Sequence, residues 1–148
     1  MRTIKFRGKN ADGKWVYGSL VTDKYLRSDG TEFDVAFISD LPCMEQPHDM
    51  WTARMHRVDP ESVGQFTGAT DKNGNDIYEG DVLLLQSKRR KPDEDPYQGQ
   101  TSMVFYSNGS FSLVMADENN MSLKRAARDY DLEIVAHELL KNDHVLIE

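Results

Sequence analysis

Cysteine is almost missing from this chain. Cys43 stands alone among 148 residues, which excludes an internal disulfide framework and fits a reducing compartment. Long apolar runs are missing too. Val82 to Leu85 is the longest compact one, far short of the roughly 18 residues that a membrane helix needs. The first residues, Met1 to Arg7, contain no apolar signal core, so no secretion signal is expected and a cytoplasmic setting is the default. A surplus of positive charge is also absent. The formal net charge of −7 argues against a nonspecific nucleic-acid binder, whose affinity comes mainly from phosphate contacts. The deficit is uneven: residues 1–66 carry nine Lys and Arg against ten Asp and Glu, and residues 67–148 carry nine against fifteen.

What is present is period-two patterning broken by turn residues. Thr3 to Arg7 alternates, with Ile4 and Phe6 on one face. Asn10-Ala11-Asp12-Gly13 turns the chain into Trp15 to Thr22, giving an N-terminal hairpin. Ser28-Asp29-Gly30 leads into Thr31 to Ile38, where Phe33, Val35 and Phe37 share a face. Residues 39–53 read as an irregular connection, and Met55 to Val58 resumes a strand. Asp59-Pro60-Glu61 combines an N-cap with proline at the first helical position, so one helical turn is expected. Asn73-Gly74 and Asn108-Gly109 are both hairpin signals of the type I′ kind. Glu79-Gly80-Asp81 bends into Val82 to Leu85, which reads as a buried strand. Residues 86–100 form a long exposed loop from which no core can be built. Met121 to Asp129 is the one short helix, and Leu132 to Leu140 returns to the sheet. Short strands and few helices suggest a small barrel or paired sheets.

The chemistry-bearing residues assemble poorly. Asp71, Asn73 and Asn75 alternate as in a calcium loop, but Asp76 and Val82 stand where such a loop needs glycine and glutamate. His137-Glu138 begins a zinc-protease motif that Lys141 breaks. Cys43, His48 and His56 follow no zinc spacing. Asp76, Glu79 and Asp81 crowd one bend, where Asp81 is expected to bond backbone N–H groups of the turn. A small hydrolase built on these three would need a deep pocket gathering them. Ser62 and Ser110 lack nucleophile-elbow glycines, and no phosphate-loop pattern occurs. No catalytic residue, metal or cofactor is therefore expected. The one basic cluster is Lys88-Arg89-Arg90-Lys91. With Phe105, Tyr106 and Phe111 it suggests a face for single-stranded nucleic acid, although Asp93-Glu94-Asp95 follows closely.

The strings Val58 to Gly68, Asp71-Lys72-Asn73-Gly74 and Ile77 to Val82 together resemble the central pattern of the YopX family of phage and prophage proteins. Ile4-Lys5-Phe6-Arg7 and Trp15-Val16-Tyr17-Gly18 extend the resemblance to the N-terminus. Gly8-Lys9-Asn10 departs from the family's Ala-Trp-Asp, and Val135 to Leu140 departs from its usual tail. The resemblance implies a mostly β protein, all-β or α+β, with an SH3-like small barrel after the central string. It also implies phage or prophage origin, and it implies no activity.

Two β subdomains are expected: residues 1–66 with the irregular connection, and residues 67–148 as an SH3-like barrel carrying loop 86–100. The leading functional reading is a noncatalytic interaction module that self-associates as a homo-oligomer, with a phage or host protein as a further possible partner. The alternative is a single-stranded nucleic-acid-binding accessory protein using Lys88, Arg89, Arg90 and Lys91.

Overall fold

In the computed structural model, residues 3–40 and 55–137 are described. Most of the 39–53 connection, with Cys43 and His48, lies outside them, as does everything after His137. The fold is mostly β, with two antiparallel sheets and one short helix. Among the described residues no helix is long and apolar enough to cross a membrane. The chain divides into two compact units, Met1–Phe66 and Thr67–Glu148.

The first unit is built on β1 (Phe6–Lys9), β2 (Trp15–Leu26), β3 (Glu32–Ser39) and β4 (Met55–Val58), in the order β4-β3-β2-β1. The beginning of β5 (Gly64–Thr70) adds to β1 through Phe6 opposite Gln65. A single 3-10 turn, Pro60–Ser62, precedes it. Asp59 caps that turn by accepting from the Glu61 N–H at 3.0 Å, as the sequence predicts. The Ser62 hydroxyl accepts from the Lys9 N–H at 2.7 Å and donates to the Asp59 carbonyl, fixing the turn to β1.

β2 changes partners along its length. Its residues 15–18 pair with β1, and residues 19–26 pair with β3. The changeover falls at Gly18, which has a φ of 153°. A side chain there would bring Cβ to 1.9 Å from the Ser39 carbonyl oxygen. Phe33, Val35 and Phe37 do share a face, on which Val35 is buried, and the clustered core lies on the opposite one. Ala36, Ile38 and Val58 form it, with Phe6, Val16, Leu20 and Val63 against them.

The second unit contains β6 (Asp76–Tyr78) beside the end of β5, then β7 (Val82–Ser87), β8 (Thr101–Ser107), β9 (Ser110–Val114), β10 (Asn120–Ser122), α1 (Leu123–Asp129) and β11 (Tyr130–Ala136). Five of the strands form a sheet in the order β10-β9-β8-β7-β11. Its two end strands are not joined by a ladder, and α1 packs against both of them. The dense core gathers Leu83, Leu85, Val104, Leu113, Met121 and Tyr130 among eleven buried residues.

Three local expectations need correction. The helix begins at Leu123, where the Ser122 hydroxyl accepts the Arg125 N–H at 3.1 Å; Met121 belongs to β10. At Asn73-Gly74 only glycine has positive φ, so the turn is not type I′. Gly74 N–H bonds the Asp71 carbonyl and Asp71 N–H bonds the Asn75 carbonyl, a type I turn closed by a left-handed glycine. Asn108-Gly109, with φ of 53° and 82°, is the true type I′ hairpin. Finally, loop 86–100 is folded back onto the sheet. Its first two residues extend β7, Asp95 is buried, and Tyr97 packs against the core. Leu85 and the loop's far end exchange two backbone hydrogen bonds, to Gln100 and from Gly99, at 2.8 Å each.

Candidate functional site

Three buried carboxylates in the second unit show what the acidic, glycine-rich string does. Asp71 accepts from Asn73 N–H and Asn75 N–H at 2.9 Å each, and from Ile134 N–H at 3.3 Å. It thereby holds its turn and ties it to β11. Burial pushes its pKa up, but these backbone donors outweigh burial and the net shift is down. No group of three or more His, Cys, Asp or Glu suited to a metal occurs among the described residues.

Asp81 is fully buried and accepts from the Tyr78 N–H at 2.8 Å. The turn Tyr78-Glu79-Gly80-Asp81 closes by Asp81 N–H to the Tyr78 carbonyl, with Gly80 at φ 94°, a type II turn. The turn-forming role predicted for Asp81 is thus present. The His137 ring also meets Asp81, Nδ1 to Oδ1 at 3.3 Å, across 56 residues of sequence. That pairing left no sequence signal, because only the fold brings β11's end to this turn. One depression of the described surface is lined by Asp23, Lys24, Val35 and Val63, and another by Asp71, Lys72, Lys88 and Tyr130.

Asp95 is the third. Its carboxylate accepts from the Tyr97 N–H at 3.0 Å, the Ser87 hydroxyl at 2.9 Å and the Tyr130 hydroxyl at 2.7 Å, and Arg89 lies 3.4 Å away. Burial raises its pKa, these partners together outweigh that, and the carboxyl sits below its usual range. Tyr130 is pushed up to about 12, first by burial and then by its bond to Asp95.

The basic cluster occupies the exposed start of the same loop. Lys88 Nζ donates to the Ala127 carbonyl at 3.4 Å, and Lys91 sits 3.8 Å from Glu94. Phe105 and Tyr106 lie on β8 past its Val82–Met103 pairing with β7, and Phe111 lies on β9, whereas Lys88 follows the other end of β7. The Tyr106 and Phe111 rings meet edge to face at 5.1 Å. His56 meets Asp40 at 3.2 Å, and Cys43 and His48 lie outside the described residues.

The first unit holds the other notable surface. From Ser19 to Leu26, β2 has β3 on one side and no strand on the other among the described residues. Tyr17, Val21 and Tyr25 are exposed on one face of it, and Leu26, at 71% exposure, on the other. Register places Phe37 opposite Val21 and Phe33 opposite Tyr25, whose rings meet edge to face at 6.1 Å.

Fold and surfaces together define a β-rich protein whose acidic motif builds turns. The chain belongs to the YopX family: the model of that family, described as YopX protein, matches residues 5–135. No curated protein matches the chain.

Proposed function

We propose that this protein is a noncatalytic interaction module of phage or prophage origin, working in the host cytoplasm, that self-associates through the β2–β3 ribbon. The observation that carries the reading is the edge of β2 over residues 19–26, which no strand pairs among the described residues and which is exposed apart from Leu20. An open strand edge offers N–H and C=O groups to a second strand, and apolar side chains beside it supply the burial. Tyr17, Val21 and Tyr25 provide that stripe. A two-fold pairing of two β2 edges is self-complementary, which suits a homodimer. Three buried carboxylates support the noncatalytic part, because Asp71 and Asp81 of the central strings and Asp95 of loop 86–100 are engaged in holding turns or loops.

The second unit is read as an SH3-like small barrel. The supporting observation is its connectivity: a long loop after β7, hairpins through β10, a short helix, and β11 returning beside β7.

Equilibrium sedimentation at micromolar concentration tests the association. Wild type should exceed the monomer mass, and Val21→Glu/Tyr25→Glu should return it to monomer with the far-UV spectrum unchanged. A wild type that stays monomeric, or a double variant that still associates, overturns the proposal.

A further inference from the structure

The fold gathers positive charge that is dispersed in the sequence. Lys88, Arg89, Arg90 and Lys91 leave the end of β7, and Lys124, Arg125 and Arg128 project from α1, more than thirty residues later; every one of the seven is exposed. Two contacts join the groups. Lys88 N–H bonds the Asp129 carbonyl at 3.1 Å, and Lys88 Nζ reaches the Ala127 carbonyl at 3.4 Å. Arg89 and Arg125 both act electrostatically on the single hydroxyl of Tyr130.

These seven are most of the nine Lys and Arg found in residues 67–148. Four carboxylates stand among them, Asp93, Glu94, Asp95 and Asp129, which leaves an excess of three positive charges. The remainder of residues 67–148 holds eleven carboxylates against two cations. Asp95 is buried and bonded inward, and Asp129 pairs with Arg128 at 2.9 Å and Arg125 at 3.7 Å. Arg90 and Lys124 make no ion pair among the described residues. Asp131 and Glu133 on β11 border the patch, and Lys72 meets Glu133 at 3.2 Å. A net charge of −7 therefore conceals one concentrated basic face.

We infer that this face, made of loop 88–91 and α1, binds the phosphodiester backbone of nucleic acid. Four of its cations are arginines, whose planar fork fits phosphate oxygens. It offers no exposed aromatic for base stacking: Tyr130 is buried and the Tyr97 hydroxyl donates to Asp117 at 2.7 Å. Binding through phosphates without base contacts is sequence-independent and steeply salt-dependent. This departs from the single-strand face expected from the sequence, because α1 replaces the aromatics. It is also independent of self-association through β2.

Fluorescence anisotropy with a labelled mixed-sequence duplex, and with one strand of it alone, provides the test. Three neutralised phosphates predict a slope of log K against log salt of about −3 for duplex and about −2 for single strand, so affinity should fall about 40-fold and about 20-fold, respectively, from 50 to 200 mM salt. Arg90→Glu/Lys124→Glu, both at exposed positions, should weaken binding at least tenfold with an unchanged thermal midpoint. Lys14→Glu/Arg57→Glu, the same charge change in the first unit, should alter it less than twofold. The slopes of the two probes distinguish duplex from single strand as the target. The proposal is overturned by no binding near 20 mM salt, by equal losses from the two double variants, or by equally tight binding of polyglutamate, which would point to an acidic protein segment instead. Val21→Glu/Tyr25→Glu should bind with the wild-type salt slope.

Discussion

The two units solve the same problem, closing short antiparallel strands around a core, with unequal resources. In the second, eleven buried residues form one cluster, and buried Asp71, Asp81 and Asp95 fasten turns and a loop to the strands around it. Among the described residues of the first, the buried cluster contains Ala36, Ile38 and Val58, and β2 runs on with Val21, Tyr25 and Leu26 exposed. At about 25 cal/mol per Å² of apolar surface buried, a core of that size gives little reserve against chain entropy. A unit so constructed gains most from a second surface that covers the ribbon. The contrast teaches that the second unit closes on itself through buried polar bonds, while the exposed strand of the first is what the self-association proposal rests on.

The sharpest way to break the contrast is at Gly18. Adding a single methyl group forces Cβ into the Ser39 carbonyl at a φ that other residues rarely adopt. Gly18→Ala is expected to cost about 3 kcal/mol or more, from backbone strain together with overpacking. The small first core cannot absorb that. Hydrogen exchange followed by mass spectrometry should show β1 to β4 losing protection while β7, β8 and β11 keep theirs. Equal loss in both units would mean that they do not differ in reserve.

A smaller effect probes the second unit's buried polar bonding. Tyr130→Phe deletes one donor to Asp95 and leaves Ser87, Tyr97 and Arg89 in place, so a loss of about 1–2 kcal/mol is expected at neutral pH. The folded protein holds the Tyr130 proton up to about 12, whereas an unfolded tyrosine titrates near 10. The raised folded value makes the stabilisation complete below pH 10 and lost as pH rises through 12. Denaturant titrations of wild type and variant should therefore differ at pH 8 and converge between pH 10 and 12. A difference that is independent of pH would detach Tyr130 from this bonding.

Much of the fold could be read from local pattern. The apolar run of Val82 to Leu85, the Asp59-Pro60 turn, the Asn108-Gly109 hairpin and the turn role of Asp81 are decided within a few residues of chain, and the structure has them. What misled was local composition at odds with distant contacts. Asp95 sits in a charged, proline-flanked run that reads as solvated, and its burial depends on Tyr130, thirty-five residues away. Asn73-Gly74 reads as type I′, but the Asp71 carboxylate captures the Asn73 and Asn75 N–H groups and selects another turn. Lys88 reads as part of a run of four, and its contacts with Ala127 and Asp129 join that run to the cations of α1. Gly18 gives no warning, because a partner change within one strand has no sequence period.

The smallest expected effect is a gain. The turn from Met115 to Asn119 repeats the bonding of the turn from Asp71 to Asn75: Glu118 N–H to the Met115 carbonyl at 2.9 Å, and Met115 N–H to the Asn119 carbonyl at 2.9 Å. In the earlier turn the left-handed slot holds Gly74; in this one it holds Glu118, at φ 66°. A side chain in that conformation costs roughly 1–2 kcal/mol, and glycine's greater freedom in the unfolded chain returns about 0.4–1 kcal/mol of the gain. Glu118→Gly should therefore stabilise the second unit by about 0.5 kcal/mol, read as a higher denaturant midpoint at unchanged slope. Gly74→Ala should shift the midpoint the other way by a similar or larger amount, since its turn is also fastened to β11 through Asp71. If Glu118→Gly lowers the midpoint, the glutamate is held there by something other than turn geometry. A gain would show that the second unit tolerates a strained turn.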